Sequence, residues 1–250
     1  MNIQDIQAYL EDPNKRVILL EEVTSTNDLI KEKAYHQIDT VLIAKSQSKG
    51  KGTQGRLFYC EKDKGIYCSF YVSTEKIQHR STLIPLIMAS AISRGLSSHG
   101  VTSQLKWVND VLIDHKKVAG ILCEKTTDDP LMVVGFGINV YEMTFPKMIE
   151  DSSTYAQKHA DTSIDINKLL VDVLNEFDLI TYGVSTREVI KEYSERCVDM
   201  QSRIMIKRGK KEIGGSVVGI DEDGCLLLKD RSGNIIRIIS TNEIIIKNKQ

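Results

Sequence analysis

Twelve consecutive residues, Lys45-Ser46-Gln47-Ser48-Lys49-Gly50-Lys51-Gly52-Thr53-Gln54-Gly55-Arg56, combine three glycines with four cations. Glycine lets a ligand approach bare backbone, and Lys and Arg supply charge for a phosphate or carboxylate, so the stretch reads as a mobile anion-binding loop. Gly50-x-Gly52-x-x-Gly55 also spells a dinucleotide fingerprint, but that loop must open directly onto a helix. Here Arg56 to Cys60 reads as extended chain, and Gly65-Ile66-Tyr67-Cys68-Ser69-Phe70-Tyr71-Val72 as a strand, which removes the dinucleotide reading.

Three further groups could serve the same ligand. Ser25-Thr26-Asn27 precede a helical period, and their hydroxyls either cap that helix or offer themselves beside the loop. Lys106-Trp107-Val108-Asn109-Asp110 opens a hairpin that turns at Asp114-His115-Lys116 and has lysines at both ends, Lys106 and Lys117. Polar side chains next to a buried-type strand are costly unless they pair or meet a ligand. Gly135 and Gly137 share one face of the strand Leu131 to Val140, leaving room for a backbone or a ligand.

The elements that must hold these groups are legible from periodicity. Residues 2–11 form a short helix ended by Pro13; Val17 to Leu20 and Val41 to Ala44 are strands; Thr82 to His99 is a helix capped by Ser81 and stopped by Gly100. Residues 141–165 are irregular, and Ile166 to Tyr182 and Thr186 to Cys197 are amphipathic helices. Five short strands follow, at 203–206, 215–220, 225–228, 235–238 and 243–246, separated by Asp- and Gly-containing turns. They make a small β-barrel or sandwich. Residues 199–250 contain no Phe, Tyr or Trp, which disfavours a proline-peptide module or a base-stacking strand binder.

The 250 residues are 41% apolar and 27% charged with a net charge of -1, a soluble globular composition that argues against bulk binding to nucleic acid or membrane. No apolar run approaches the ~20 residues of a membrane helix, and the N-terminus lacks a signal-type core, so a cytoplasmic protein is expected. Five cysteines without a C-x-x-C pair read as reduced thiols, and five isolated histidines give no zinc site. Some 16 residues precede the first strand, too few for a helix-turn-helix domain, so DNA-binding repression is disfavoured.

Five features, in order, resemble the biotin protein ligases, specifically the short class without an N-terminal DNA-binding domain. They are Ser25-Thr26-Asn27; Gln47 with Gly50-Lys51-Gly52-x-x-Gly55-Arg56; Lys106-Trp107-x-Asn109-Asp110; Lys117-Val118-Ala119-Gly120-Ile121-Leu122-x-Glu124; and Gly135-x-Gly137-Ile138-Asn139. The resemblance covers about residues 17 to 247. It implies an α+β protein: a mixed β-sheet catalytic domain of the biotin/lipoate ligase type over residues 1–198, then an SH3-like β-barrel over 199–250.

It also implies a reaction. Biotin and ATP, with magnesium, give biotinyl-5′-adenylate, and the biotinyl group passes to a lysine of a carrier domain of acetyl-CoA carboxylase or a related carboxylase. By resemblance Lys117, Lys51 and Arg56 are the catalytic cations. Ser25, Thr26, Asn27, Gln47, Gly50, Lys51, Gly52, Thr53, Lys117, Gly120, Gly135 and Gly137 hold biotin. Lys51, Gly52, Thr53, Arg56, Trp107, Asn109, Asp110, Lys117 and Asn139 hold the nucleotide, with Asp110 beside its magnesium and no tightly bound metal. A monomer or homodimer is expected.

The sequence departs from the family pattern in four places. Lys51 and Thr53 stand where arginines are usual, Phe58 where tryptophan is common, and Val108 where proline is. Because the arginine at the position of Thr53 helps retain the adenylate, looser retention is expected here. A lipoate ligase is the nearest rival, although its arginine and triple-glycine run is missing. A non-catalytic regulator on the same scaffold is disfavoured by Lys117.

Overall fold

A computed structural model describes the chain except residues 78, 127–129, 209–210, 240–243 and 248–250. In chain order the elements are α1 (Ile3–Tyr9), β1 (Arg16–Val23), α2 (Thr26–Leu29), β2 (Thr40–Gln47), β3 (Gly65–Ser73), α3 (Ile84–Ser98), β4 (Gln104–Lys106), β5 (Asp110–Ile113), β6 (Lys116–Lys125), β7 (Leu131–Asn139), α4 (Ile166–Gly183) and α5 (Thr186–Arg196). β8 (Arg203–Arg208), β9 (Lys211–Ile220), β10 (Leu226–Lys229), β11 (Ile235–Ile238) and β12 (Ile244–Lys247) follow.

The first seven strands form one mixed sheet in the order β1-β2-β3-β7-β6-β5-β4. β1 and β2 run parallel and the other neighbours antiparallel. β3 is buried along its whole length, as expected of a central strand made of Ile, Tyr, Cys, Phe and Val. Helices α3 and α4 cover one face. They approach closely at Gly95, where an added Cβ would lie 2.6 Å from Val173 Cγ2. β5 and β6 meet through Asp114 and His115 at φ +49° and +63°, the left-handed pair that a two-residue hairpin turn requires.

One local expectation fails and another is refined. Ser81 does not cap α3; it opens a 3-10 turn, Ser81–Leu83, and the helix starts at Ile84 with Pro85 in its first turn. Residues 56–60 are extended, as expected, and form the return arm of the glycine loop. Phe58 N–H donates to Gly50 O (2.8 Å) and Gly52 N–H to Arg56 O (2.8 Å) around the turn Thr53–Gly55.

The last five strands form an antiparallel sheet, β11-β10-β9-β8-β12, whose turns place Gly224 and Gly233 at positive φ. This SH3-like unit packs onto the first sheet's helices. The Asp221–Gly224 turn rests on the start of α3, and Trp107 Nε1 donates to Gly224 O at 3.0 Å. The architecture is therefore the α+β arrangement expected, a mixed sheet followed by a small β unit. No helix among the described residues is long and apolar enough to cross a membrane.

Candidate functional site

Strand register builds the floor of the site in two rungs. Ser69, Gly135 and Leu122 lie level across β3, β7 and β6, and Tyr67, Gly137 and Gly120 form the next rung. Each rung has one partner standing on its glycines. Asn27 sits on the first, with Oδ1 1.7 Å from where a Cβ of Gly135 would be; the Phe58 ring sits on the second, 2.4 Å from the Cβ position of Gly137 and 3.2 Å from that of Gly120. The strand glycines are thus places where side chains from α2 and the loop reach the sheet backbone.

α2 is a single turn, and Ser25 at its N-cap makes no side-chain capping hydrogen bond. The Thr26 hydroxyl is instead engaged across the site. Thr26 N–H and Oγ1 lie 2.7 and 3.0 Å from Gln47 Oε1, and Ser69 Oγ lies 2.8 Å from Thr26 Oγ1 and 2.6 Å from Asn27 Oδ1. Asn27 Nδ2 reaches Leu122 O (3.2 Å) and Glu124 Oε2 (3.0 Å), and Lys31 neutralises Glu124 at 2.9 Å. Gln47 Nε2 donates to Cys60 Sγ at 3.1 Å, a thiol that burial pushes up to about 12 and so keeps neutral.

Above this floor lies a narrow cavity of about 40 Å³, lined by Ser25, Thr26, Asn27, Gln47, Lys51, Gly52, Thr53, Asn109, Lys117, Gly120, Gly135 and Gly137. A larger one of about 390 Å³ adjoins it, lined among others by Gly52, Thr53, Arg56, Trp107, Asn109, Asp110, Lys117 and Asn139. The structure therefore brings together every sequence-predicted residue except Gly50. Gly50 lies beneath the loop, where a Cβ would meet Phe58 O at 2.5 Å and Cys60 Sγ at 2.7 Å.

Lys117 belongs to both cavities, and its ammonium is 2.5 Å from Asp110 Oδ1 and 5.9 Å from the Phe58 ring centre. Lys51 is held to the small cavity's rim by Asp28 at 2.5 Å, a carboxylate that raises its pKa; the pair is close to half exposed and adds little stability. Arg56 bonds Gln54 Oε1 at 2.7 Å. Trp107 is a buried wall, its backbone N–H held by Asp199 at 2.9 Å.

Sequence reasoning missed Ser69, Phe58 as a lining residue, and Phe145, Ile149, Ser152 and Ser153 from the unassigned stretch. Ser152 and Ser153 are held by the neighbouring Thr154, whose N–H bonds Lys117 O (2.9 Å) and whose carbonyl accepts from Asn139 Nδ2 (3.0 Å), while Phe145 is held by the Tyr59 ring and the Thr144 N–H bond to Glu61 (3.0 Å). Nothing in their own pattern signals this. For Ser69, a serine inside an otherwise apolar central strand was the available signal.

Among the described residues no cluster of three His, Cys, Asp or Glu could hold a metal ion. Asn139 Oδ1, however, is buried without a hydrogen-bond partner in the wall of the larger cavity, which Asp110 also lines. One carboxylate and one amide oxygen suit magnesium that arrives on a phosphate chain rather than in a protein cage.

Residues 19–140 match the biotin/lipoate A/B protein ligase family, and residues 202–247 the biotin protein ligase C-terminal domain. The bifunctional ligase/repressor BirA of Bacillus subtilis is 26% identical over 205 residues, spanning 78% of this chain and 62% of its own length. The chain thus aligns with about three fifths of that relative. A biotin–[acetyl-CoA-carboxylase] ligase of Mycobacterium tuberculosis is 25% identical over 82% of this chain and 78% of its own. The Aquifex aeolicus biotin protein ligase, solved with biotin and ATP, superposes with a TM-score of 0.81 at 28% identity, over 94% of this chain and all of that one. Two matched regions and a shared fold mean that the chain belongs to the biotin protein ligases of the biotin/lipoate ligase family.

Proposed function

We propose that the protein joins biotin to ATP as biotinyl-5′-adenylate and transfers the biotinyl group to a lysine of a biotin carboxyl carrier domain. Residues 1–198 would act as the catalytic unit and 199–250 as an SH3-like support. The observation that carries this reading is the position of Lys117 at the junction of the two cavities, paired with Asp110 at 2.5 Å. The small cavity is walled by hydrogen-bonding groups suited to a head group, and the large one by residues suited to a nucleotide. The carboxylate and the α-phosphate then meet at Lys117.

Two anions must be brought together in the first step, and a fixed cation stabilises the charge that builds on the phosphate. Lys51 and Arg56 bring further charge from the loop. Asn139 and Asp110 would hold the magnesium on the phosphates, which supplies charge neutralisation. About 40 Å³ holds little more than a water. Biotin therefore enters as Phe58 swings off Gly137 and Gly120, and the ring then covers the adenylate and excludes water from its anhydride.

Incubation with magnesium-ATP, a carrier domain and either biotin or lipoate, followed by the mass of the acceptor, tests the reading. Attachment of biotin is expected; attachment of lipoate would make this a lipoate ligase, and an unmodified acceptor in both arms overturns the proposal. Thr53 lines both cavities. Thr53→Arg adds one charge-assisted contact and is expected to slow adenylate dissociation about tenfold or more. An unchanged off-rate would show that Thr53 does not set retention.

A further inference from the structure

Thr154 stitches the segment after β7 to two strands beneath the larger cavity. Its N–H donates to Lys117 O at 2.9 Å, and its carbonyl accepts from Asn139 Nδ2 at 3.0 Å. The second bond fixes the amide: Nδ2 is spent on Thr154, and Oδ1 is the acceptor left unpaired in the cavity wall. Ser153 pairs with Lys117 as a parallel bridge, and Ser152 and Ser153 line the same cavity.

Thr154 itself belongs to no helix or strand, so a side chain must do what a regular element would. The 3-10 turn Ala156–His159, anchored by Gln157 N–H on Val140 O at 2.9 Å, carries His159 back over it. His159 Nε2 lies 2.9 Å from Thr154 Oγ1, and Nδ1 lies 3.4 Å from Asp114 Oδ2 in the turn between β5 and β6. In the neutral ring the carboxylate, which can only accept, draws the proton to Nδ1, and Nε2 takes the Thr154 hydroxyl proton. The order carboxylate, imidazole, hydroxyl is that of a hydrolytic triad, but Thr154 is 4% exposed and lines neither cavity, so no substrate reaches its oxygen. Asp114 is 81% exposed and adds little.

We infer that His159 is a positioning residue for the nucleotide half of the site: by clasping Thr154 it holds Asn139 Oδ1 and the serine wall in the arrangement that receives the nucleotide, without touching it. This rests on reading the larger cavity as the nucleotide site. Removal of the imidazole leaves a buried hydroxyl unpaired, and Thr154 relaxes toward water, loosening both of its main-chain bonds. The small cavity is lined by neither Asn139 nor the two serines, so biotin binding does not feel the change.

The test is calorimetric titration of wild type, His159→Ala, His159→Gln, His159→Asn, Thr154→Val and the Thr154→Val/His159→Ala double variant. Each is titrated with biotin and then, biotin-loaded, with magnesium and a non-hydrolysable ATP analogue. His159→Ala should weaken the analogue about tenfold and raise the KM for ATP to match, with biotin affinity and kcat at saturating ATP each within about twofold of wild type. A glutamine amide reaches where Nε2 was, and an asparagine amide where Nδ1 was. Glutamine should therefore regain most of the analogue affinity and asparagine little of it. With Thr154→Val in place, His159→Ala should cost less than about twofold more, because the ring acts through that hydroxyl.

A ratio of two affinities in one preparation does not depend on the folded fraction. Equal losses for biotin and analogue, rescue by asparagine as good as by glutamine, additivity in the double variant, or a His159→Ala protein that binds the analogue as wild type does would each overturn the clasp and leave the ligase reading intact. A wild-type protein that binds biotin but no analogue overturns the reading of the larger cavity and the inference with it.

Discussion

Lys117→Ala should lower the rate of adenylate formation by about 10²–10³-fold, with biotin affinity in the absence of ATP changed less than tenfold. The ammonium is the one charge shared by both cavities, and its removal has a second consequence. Asp110, 2.5 Å away, loses its counter-ion and faces the incoming phosphates as a bare carboxylate. Lys117→Arg keeps the charge but not the compact point geometry and should recover only a small part of the rate. Biotin-dependent pyrophosphate release in single turnover measures the step directly. A Lys117→Ala protein that forms adenylate within threefold of wild type would remove Lys117 from the mechanism.

Gly135→Ala should destabilise the protein by about 2–4 kcal/mol and abolish measurable biotin binding. The new methyl would lie 1.7 Å from Asn27 Oδ1. Asn27 cannot step aside without breaking its bonds to Leu122 O, Glu124 and Ser69. Gly137→Ala provides the contrast. Its methyl meets the Phe58 ring, which belongs to a loop and can rotate, so its stability loss should be under about 1 kcal/mol while biotin and nucleotide binding still suffer. Urea unfolding and titration of both variants check the pair; equal stability losses would show that Asn27 is no more firmly held than Phe58.

The sheet and helices were legible from the apolar patterns of the elements: α4 buries one face, α3 is apolar and buried nearly all round, and β3 and β7 are nearly continuous apolar runs. The site was legible where glycine or charge interrupted those patterns, as at Lys51, Lys117, Gly135 and Gly137. What stayed hidden depends on contacts between segments far apart in the chain. Ser69 meets Asn27, 42 positions away, and the 145–153 wall is held at one end by Thr144 bonding Glu61 and at the other by Thr154 bonding Lys117 and Asn139. Ser81 reads as a cap by type, yet the chain inserts a 3-10 turn there. Phe58 looks like a strand residue by composition, and only the backbone bonds of the return arm place its ring on the glycines.

The tryptophan wall joins the two sheets. Trp107 lines the larger cavity, yet its indole N–H is held by Gly224 of the C-terminal unit and its backbone N–H by Asp199, the first residue of that unit. The small sheet is thus thermodynamically linked to occupancy of the cavity. A nucleotide that binds only the docked arrangement, at a hundred times its dissociation constant, adds about 2.7 kcal/mol to the free energy of separating the two units. On the proposed function, ATP in the larger cavity then guards the C-terminal sheet against local opening and proteolysis.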